Sequence, residues 1–429
     1  MKEKANFNQF AALLGLDWAD EKHDVALRTP DAATVEHSTF AHTPEAIAAW
    51  VGSLRQRLGS GPIAICLEQS RGALLNALSS HAGLVLYPIN PQTLAKFRTA
   101  LHPSGKKDDP VDAGLLLELL EKHGDQLSPW QPEDPATRQL ALLVEARRGF
   151  VDRRTALINQ LQSVLKSYYP QAFELMGEDL GSPMATAFLK RWSTLAAVQN
   201  AKPSALRAFY YGHNSRSADL LTERLRLIKN GLALTKDTAV LAAQSLAAES
   251  LAAELAALRP VIARYDQQIE RLFAAHPDAP IFASLDGAGA VMAPRLLAAF
   301  GTDRNRFADA QAMPCYSGTA PVTEKSGKQK WVHRRWSRPI FVHQSFLEFA
   351  GHSVRFSAWA KRCYEGLIQK GKGHWAALRV LAVKWQRIMW RCWQDRRPYD
   401  EAIYLQSLHQ RGLARYADLV VAGAKTHGE

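Results

Sequence analysis

Lys106-Lys107-Asp108-Asp109-Pro110-Val111-Asp112-Ala113 is the stretch on which the reading of this chain turns. It places Asp109 and Asp112 three residues apart at a helix start, and residues so spaced share one helix face. Two more acids close apolar runs upstream, Asp17 after Ala11–Leu16 and Glu68 after Ile63–Leu67. Like charges repel unless a cation lies between them, so four acids drawn to one place call for a metal. Mg²⁺ takes oxygen ligands, and two such ions about 3.5–4 Å apart clamp the attacking and leaving oxygens of a phosphodiester. Each acid also has a plain structural reading. Asp109-Pro110-Val111-Asp112 makes a good helix N-terminus, with Asp as cap, Pro at the first position and an acid at the third. Asp17 alone is a turn residue, and Glu68 alone a helix-start acid. The strand, strand, helix order of the four favours the metal site, and capping by Asp109 is compatible with it.

The bulk numbers set the frame. A chain of 429 residues holds two or three domains, and 47% hydrophobic residues make it globular rather than disordered. A net charge of +12 fits a polyanionic partner without naming one. Cys66, Cys315, Cys363 and Cys392 are scattered with no CxxC pair, which argues against a zinc site or disulfide scaffold and fits a reducing compartment. The first residues lack the apolar core of a signal peptide, and no run of about 18 apolar residues spans a membrane. A cytoplasmic protein is expected.

Residues 10 to about 125 read as α/β. Phe10–Asp17, His23–Arg28 and Thr34–His37 are three strands, the last two divided by the turn Thr29-Pro30-Asp31. Thr43 opens a helix to about Leu58, with Ile47, Trp50, Val51 and Leu54 at helical spacing. Then follow strand Pro62–Leu67, helix Gly72–His81, strand Gly83–Pro88, a helix from Asn90-Pro91 through Leu101, and the helix Asp112–Lys122. Three strands, a helix, then alternating strand and helix is the order of the ribonuclease H-like fold.

Residues 138–168 change character. Leu143, Phe150, Leu157 and Val164 recur every seven, as do Val144, Val151, Ile158 and Leu165. Arg147 and Arg154 interrupt one flank and must snorkel or pair. A second seam runs Leu251, Leu255, Leu258, Ile262, Tyr265, Ile269, Leu272, with Pro260 inside it predicting a kink or break. The two seams make either an antiparallel hairpin within the chain or a dimer contact. The intervening 170–240 reads as an inserted helical segment.

From Ile281 the sequence shifts again. Leu285-Asp286-Gly287-Ala288-Gly289 before a helix resembles a helix-hairpin-helix turn that offers N–H groups to phosphates, or is a plain loop. Lys325, Lys328, Lys330, Arg334, Arg335 and Arg338 interleave with Trp331 and Trp336, a pattern suited to nucleic acid through phosphate pairing and stacking. The bland alternative is a solvated basic loop. At helical spacing, Trp359, Trp375, Trp385, Trp390 and Trp393 read as core.

These stretches together resemble a known family. Gly15-Leu-Asp17-Trp-Ala-Asp-Glu-Lys-His-Asp-Val25, Ile65-Cys-Leu-Glu68, Ile89-Asn-Pro91, Lys107–Ala113, Leu285–Gly289, Tyr316-Ser-Gly-Thr-Ala-Pro321 and Lys325-Ser326-Gly327 resemble the DEDD transposases of the insertion sequence 110 family, relatives of the Piv invertases. The resemblance implies α/β plus all-α architecture: a RuvC-like, ribonuclease H-like domain at 8–128, and a helical coiled-coil region at 129–280. It continues with a mostly helical C-terminal transposase domain carrying the serine at 281–400 and a tail at 401–429. Carried over residue by residue, Asp17, Glu68, Asp109 and Asp112 match the family's metal-binding tetrad, for two Mg²⁺ ions, and Ser326 its nucleophilic serine. The implied activity is recombination that excises and integrates an insertion sequence. The resemblance also implies a structured bridge RNA that pairs with donor and target DNA, in the bacterial cytoplasm near the nucleoid. The implied assembly is a dimer or tetramer, in which one subunit's acids meet another's serine. The chain is longer than a compact member, chiefly in 170–240, and the spacing to Asp112 favours Asp109 over Asp108 as the ligand.

A serine hydroxyl is a poor nucleophile unless its proton is accepted or its pKa lowered. The acids would serve that need, and Lys325 and Lys328 would stabilise the charge on phosphorus. Attack would leave a phosphoserine link that conserves bond energy for resealing. The alternatives are a Holliday-junction-type nuclease with the same acids and water as nucleophile, and a non-enzymatic nucleic-acid scaffold.

Overall fold

The computed structural model describes residues 9–68, 72–101 and 109–412. Lys106, Lys107 and Asp108, and the side chains of Asp109 and Pro110, lie outside the described residues. The chain divides into two compact units, Met1–Pro132 and Glu133–Glu429. Among the described residues no helix is long and apolar enough to cross a membrane.

The first unit is a five-stranded sheet in the order β3-β2-β1-β4-β5. Its elements are β1 (Ala12–Asp17), β2 (Lys22–Arg28), β3 (Glu36–Ala41), α1 (Pro44–Leu58), β4 (Ile63–Leu67), α2 (Ala73–Ser79), β5 (Leu84–Pro88), α3 (Pro91–Leu101) and α4 (Asp109–His123). β1 runs antiparallel to β2 and parallel to β4, and β4 parallel to β5. The central strands are covered on both faces, which is why Ile63–Leu67 is apolar without alternation. One face packs Leu14, Leu16, Ile65 and Leu67 with Ile47, Val51 and Leu54 of α1. The other packs Ala64 and Cys66 with Leu116 and Leu120 of α4.

Two boundaries differ from the sequence expectation. β3 lies at Glu36–Ala41 rather than 34–37, pairing with β2 from Leu27↔Glu36 to Lys22↔Ala41. As an edge strand it buries only Phe40, which stacks on Trp50 at 4.4 Å, so its polar sequence carries no alternation to read. α4 opens at Asp109, one turn before Asp112.

The second unit is built on two long helices, α5 (Pro135–Tyr168) and, further on, α11 (Thr238–Ala274). Arg147 pairs with Asp266 and Arg153 with Glu254, so the two run antiparallel and pack on each other within one chain. Arg154 likewise finds Asp179. Of the kink or break expected at Pro260, the break is absent: α11 continues as one helix through the proline. Leu255, Leu258 and Ile269 are buried on both sides of the proline, and that packing holds the helix together. Between them lie α6 (Ala172–Met176), α7 (Pro183–Arg191), α8 (Leu195–Gln199), α9 (Pro203–Gly212) and α10 (Ala218–Asn230). This insertion builds its own core, with Tyr169, Phe188, Leu189 and Tyr210 set against Leu161 and Leu165 of α5 and Leu251 and Leu255 of α11.

The remainder comprises α12 (Ala279–Ala283), α13 (Gly289–Phe300), α14 (Ala312–Tyr316), β6 (Val322–Ser326), β7 (Gln329–His333), α15 (Ile340–Phe356), α16 (Ala358–Gln369), α17 (His374–Asp395) and α18 (Glu401–Gln410). Trp359, Trp385 and Trp393 are fully buried in its core, and each indole N–H donates to an acceptor: Tyr399 Oη, Ser353 Oγ and the Gly301 carbonyl, all at 2.8 Å. Trp390 is half-buried and Trp375 is exposed, so the core reading of the tryptophans fails for Trp375. Gly287, at φ 83°, brings the turn before α13 within 2.8 Å of Phe356 for any added Cβ. That glycine serves close packing against α15.

Candidate active site

Asp17 is the last residue of β1, and Glu68 directly follows β4. Leu16 pairs with Leu67 in the parallel register, so the two acids leave neighbouring strands at the same end of the sheet. Side chains alternate along a strand, so Gly15 and Asp17 look toward α4. A Cβ on Gly15 would lie 2.0 Å from the Ala113 carbonyl oxygen and 2.4 Å from the Leu117 nitrogen. Glycine alone permits that approach, and it seats α4 on β1 with Asp112, next to Ala113, near the acid-bearing end.

Asp112 is 1% exposed. Arg98 of α3 grips it in a fork, Nε donating to Oδ1 at 2.7 Å and Nη2 to Oδ2 at 2.5 Å. Asp109 lies one turn earlier on the same helix. Among the described residues no three His, Cys, Asp or Glu are gathered closely enough to hold a metal ion. The donor chemistry nevertheless suits a hard divalent cation: carboxylate oxygens, with no thiolate or imidazole among the candidates. In this structure the Arg98 guanidinium supplies the positive charge at Asp112. By donor chemistry alone, the carboxylates could hold Mg²⁺.

Reasoning from sequence missed Arg98, and it also missed Asp24. Asp24 is opposite Asp17 in the β1–β2 register, so the two share a sheet face, and it is 7% exposed. The signal was present as a second acid seven residues after Asp17, but it becomes readable only once the hairpin register is known. Nearby His23 is a packing residue. Its ring bonds His42 at 2.8 Å and lies against Phe40, and burial, helped by His42, brings its pKa down to about 4.

Ser326 belongs to the second unit. This basic stretch, for which a solvated loop was the plain alternative, forms a hairpin. β6 pairs antiparallel with β7, and Ser326↔Gln329 is the last pair before the turn Gly327-Lys328. Gly327 has φ 56°, the positive value that a two-residue hairpin turn asks of its first position. Both strands are exposed, so Ser326 stands in solvent at the hairpin tip. Strand alternation puts Glu324 and Trp331 on the face of Ser326, and Lys325 and Lys330, which pair with each other, on the opposite face. Lys325 directly precedes the serine in sequence, and Lys328 lies in the turn two residues after it. Glu324 is engaged with His333 at 2.8 Å. Arg334 lies over the Trp336 ring at 5.0 Å, while Arg335 and Arg338 continue toward α15.

Acids at the ends of adjacent strands, on a sheet of this order, belong with enzymes that cut and join nucleic acids, and here the class is transposase. Residues 14–170 match a family model of IS110-type DEDD transposases, and residues 279–365 match a model described as transposase of the IS116/IS110/IS902 family. The chain is 28% identical over 393 residues to the mini-circle protein of Streptomyces coelicolor named as a transposase for IS117, covering 90% of this chain and 95% of that one. It is 26% identical over 396 residues to the 42 kDa protein of insertion element IS900 of Mycobacterium paratuberculosis, covering 90% and 97%. The 43.6 kDa protein of insertion element IS110 of Streptomyces coelicolor matches at 26% over 380 residues. The chain belongs to the IS110 family of transposases.

Proposed function

We propose that this transposase excises and integrates its insertion sequence through Ser326, with Asp17, Glu68, Asp109 and Asp112 as the acids of a Mg²⁺ site. The observation that carries the reading is the hairpin: an exposed serine at a glycine turn, beside Lys328, on a strand pair held clear of any core. Serine Oγ attacks a backbone phosphorus, the bond from phosphorus to the leaving sugar oxygen breaks, and that oxygen takes up a proton. The serine proton passes to a carboxylate. A bound divalent ion would polarise the phosphate and offset its growing charge. The phosphoserine link is then resolved by the sugar hydroxyl of another strand, which exchanges partners without an external energy source.

Donor and target DNA are the substrates in this reading, a structured bridge RNA selects them, and a dimer or tetramer unites acids and serine from different subunits. The net charge of +12 supports a polyanionic partner of this kind. The test uses purified protein, Mg²⁺, co-purified RNA and supercoiled donor DNA. Ser326→Ala is expected to abolish both the denaturation-resistant protein–DNA adduct and strand exchange. Full recombination by Ser326→Ala would end the reading. Cutting that persists in Ser326→Ala without any adduct, but stops in Asp17→Asn, would replace it with a water-using junction nuclease.

A further inference from the structure

The motif Tyr316-Ser317-Gly318-Thr319 is not used by the chemistry above, yet it is tightly built. Ser317 and Thr319 are buried, and Gln386 of α17 locks them: Ser317 Oγ donates to Gln386 Oε1 and Gln386 Nε2 to Thr319 Oγ1, each at 2.8 Å. Gly318 has φ 71°, and an added Cβ would fall 2.3 Å from Arg338 Cδ. The arginine stem therefore lies directly on the glycine. Arg338 Nη1 donates to the carbonyls of Arg335 at 2.6 Å and Trp336 at 3.1 Å, and its Nε is buried with no partner. Behind it His343 is buried, and its Nδ1 donates to the Ser317 carbonyl at 2.9 Å.

Burial first, then the charges of Arg334 and Arg379, lowers the pKa of Arg338, and burial first, then Arg334, lowers that of Arg379. Elsewhere in this unit the part-buried Arg147, Arg148, Arg295, Arg304 and Arg306 each hold a carboxylate. None of the three arginines at the hairpin root does so among the described residues. Converging cations without an internal counter-ion raise the energy of the free protein and favour an external anion.

We propose that Arg338, seated on the Ser317-Gly318-Thr319 platform, and its neighbours Arg334 and Arg379 bind a backbone phosphate of a nucleic-acid strand that runs along the hairpin to Ser326. The inference rests on the reading of that hairpin as strand-contacting. Four residues of strand separate Ser326 from the root at Val322, or about 13 Å, so the anchored phosphate lies beyond the reacting one. Arg379, on a different helix, and the platform itself are outside the basic stretch visible in sequence.

The full chain is titrated against fluorescent DNA and RNA oligonucleotides of one sequence across a salt series, as wild type, Arg338→Gln, Arg379→Gln and the charge control Arg207→Gln on α9. Each platform variant is expected to reduce the slope of log affinity against log salt by about 0.7, the value for one lost phosphate contact on a single strand. Arg379→Lys is expected to restore most of it. A change confined to the DNA curve identifies DNA as the ligand, and one confined to the RNA curve identifies RNA; either supports the site. Slopes for both platform variants equal to that of Arg207→Gln would overturn it. If Arg338→Gln unfolds, Arg379→Gln carries the test. Adduct formation by Ser326, measured separately, distinguishes the two claims. Adduct with unchanged slopes removes the anchor alone, and changed slopes without adduct leave the anchor while removing the serine chemistry.

Discussion

Arg98 and Asp112 form a two-point pair in which a nearly inaccessible carboxylate, 1% exposed, meets a guanidinium that is itself 17% exposed. The pair ties α3 to α4 across the residues that separate them in sequence. Removing one partner of a buried pair costs far more than the pair is worth, because the remaining charge is left unsolvated. Arg98→Gln is therefore expected to lose about 3–5 kcal/mol of unfolding free energy, read by urea denaturation. If Asp112 is a ligand, Mg²⁺ supplies a replacement charge and raises the melting temperature of Arg98→Gln more than that of wild type. Equal Mg²⁺ shifts in both proteins would count against Asp112 as a ligand.

Gly15→Ala tests the seat of α4. The added methyl would sit 2.0 Å from the Ala113 carbonyl oxygen, and backbone cannot swing aside as a flexible side chain can. A loss of about 3 kcal/mol is expected, the upper part of the range for overpacking. Mg²⁺-dependent cleavage should fall with it. Thermal unfolding of the variant, compared with Gly52→Ala, where the added Cβ meets nothing, gives the measurement.

Asp24→Asn probes the acid that faces Asp17. The amide keeps the size and removes the charge, so folding is expected to hold. If Asp24 tunes the acidic end of the sheet, Mg²⁺-dependent cleavage drops about 10–100-fold, as for residues that support metal ligands. Unchanged cleavage would make Asp24 a packing residue only.

Acid sensitivity follows from two histidines. Burial, aided by Arg338, Arg334 and Arg379, brings His343 down to about 4, and burial with His42 does the same to His23. In the unfolded chain both titrate near 6.5. The folded values are the lower ones, so as pH falls below 6.5 the unfolded state takes up protons first and stability declines, down to about pH 4. Melting temperatures measured between pH 7.5 and pH 4.5 should fall, and His343→Gln should flatten part of that fall.

Much of the first unit was legible before any fold was known. Apolar runs such as Ile63–Leu67 and the capped helix start at Thr43 carry their own signals, and both stand in the structure. β3 was misplaced because an edge strand with one buried residue has no pattern to read. The long helices were visible from heptads, but Leu161 of α5, fully buried, lay outside both predicted seams, in a core shared by α5, α11 and the inserted helices. The hairpin at Ser326 was not foreseen as strands, because it is exposed on both faces and so shows no alternation of polarity.

Residue types and their spacing determined that this chain has an α/β unit with acids at strand ends, two long helices and a basic, aromatic stretch around a serine, because periodicity and capping are local properties. Tertiary structure alone decided which groups meet. Arg98 on Asp112, Asp24 opposite Asp17, and Arg338 on Gly318 are contacts between elements, set by sheet register and by close backbone approach at Gly15 and Gly318. No local pattern encodes such pairings, since they depend on how distant segments pack.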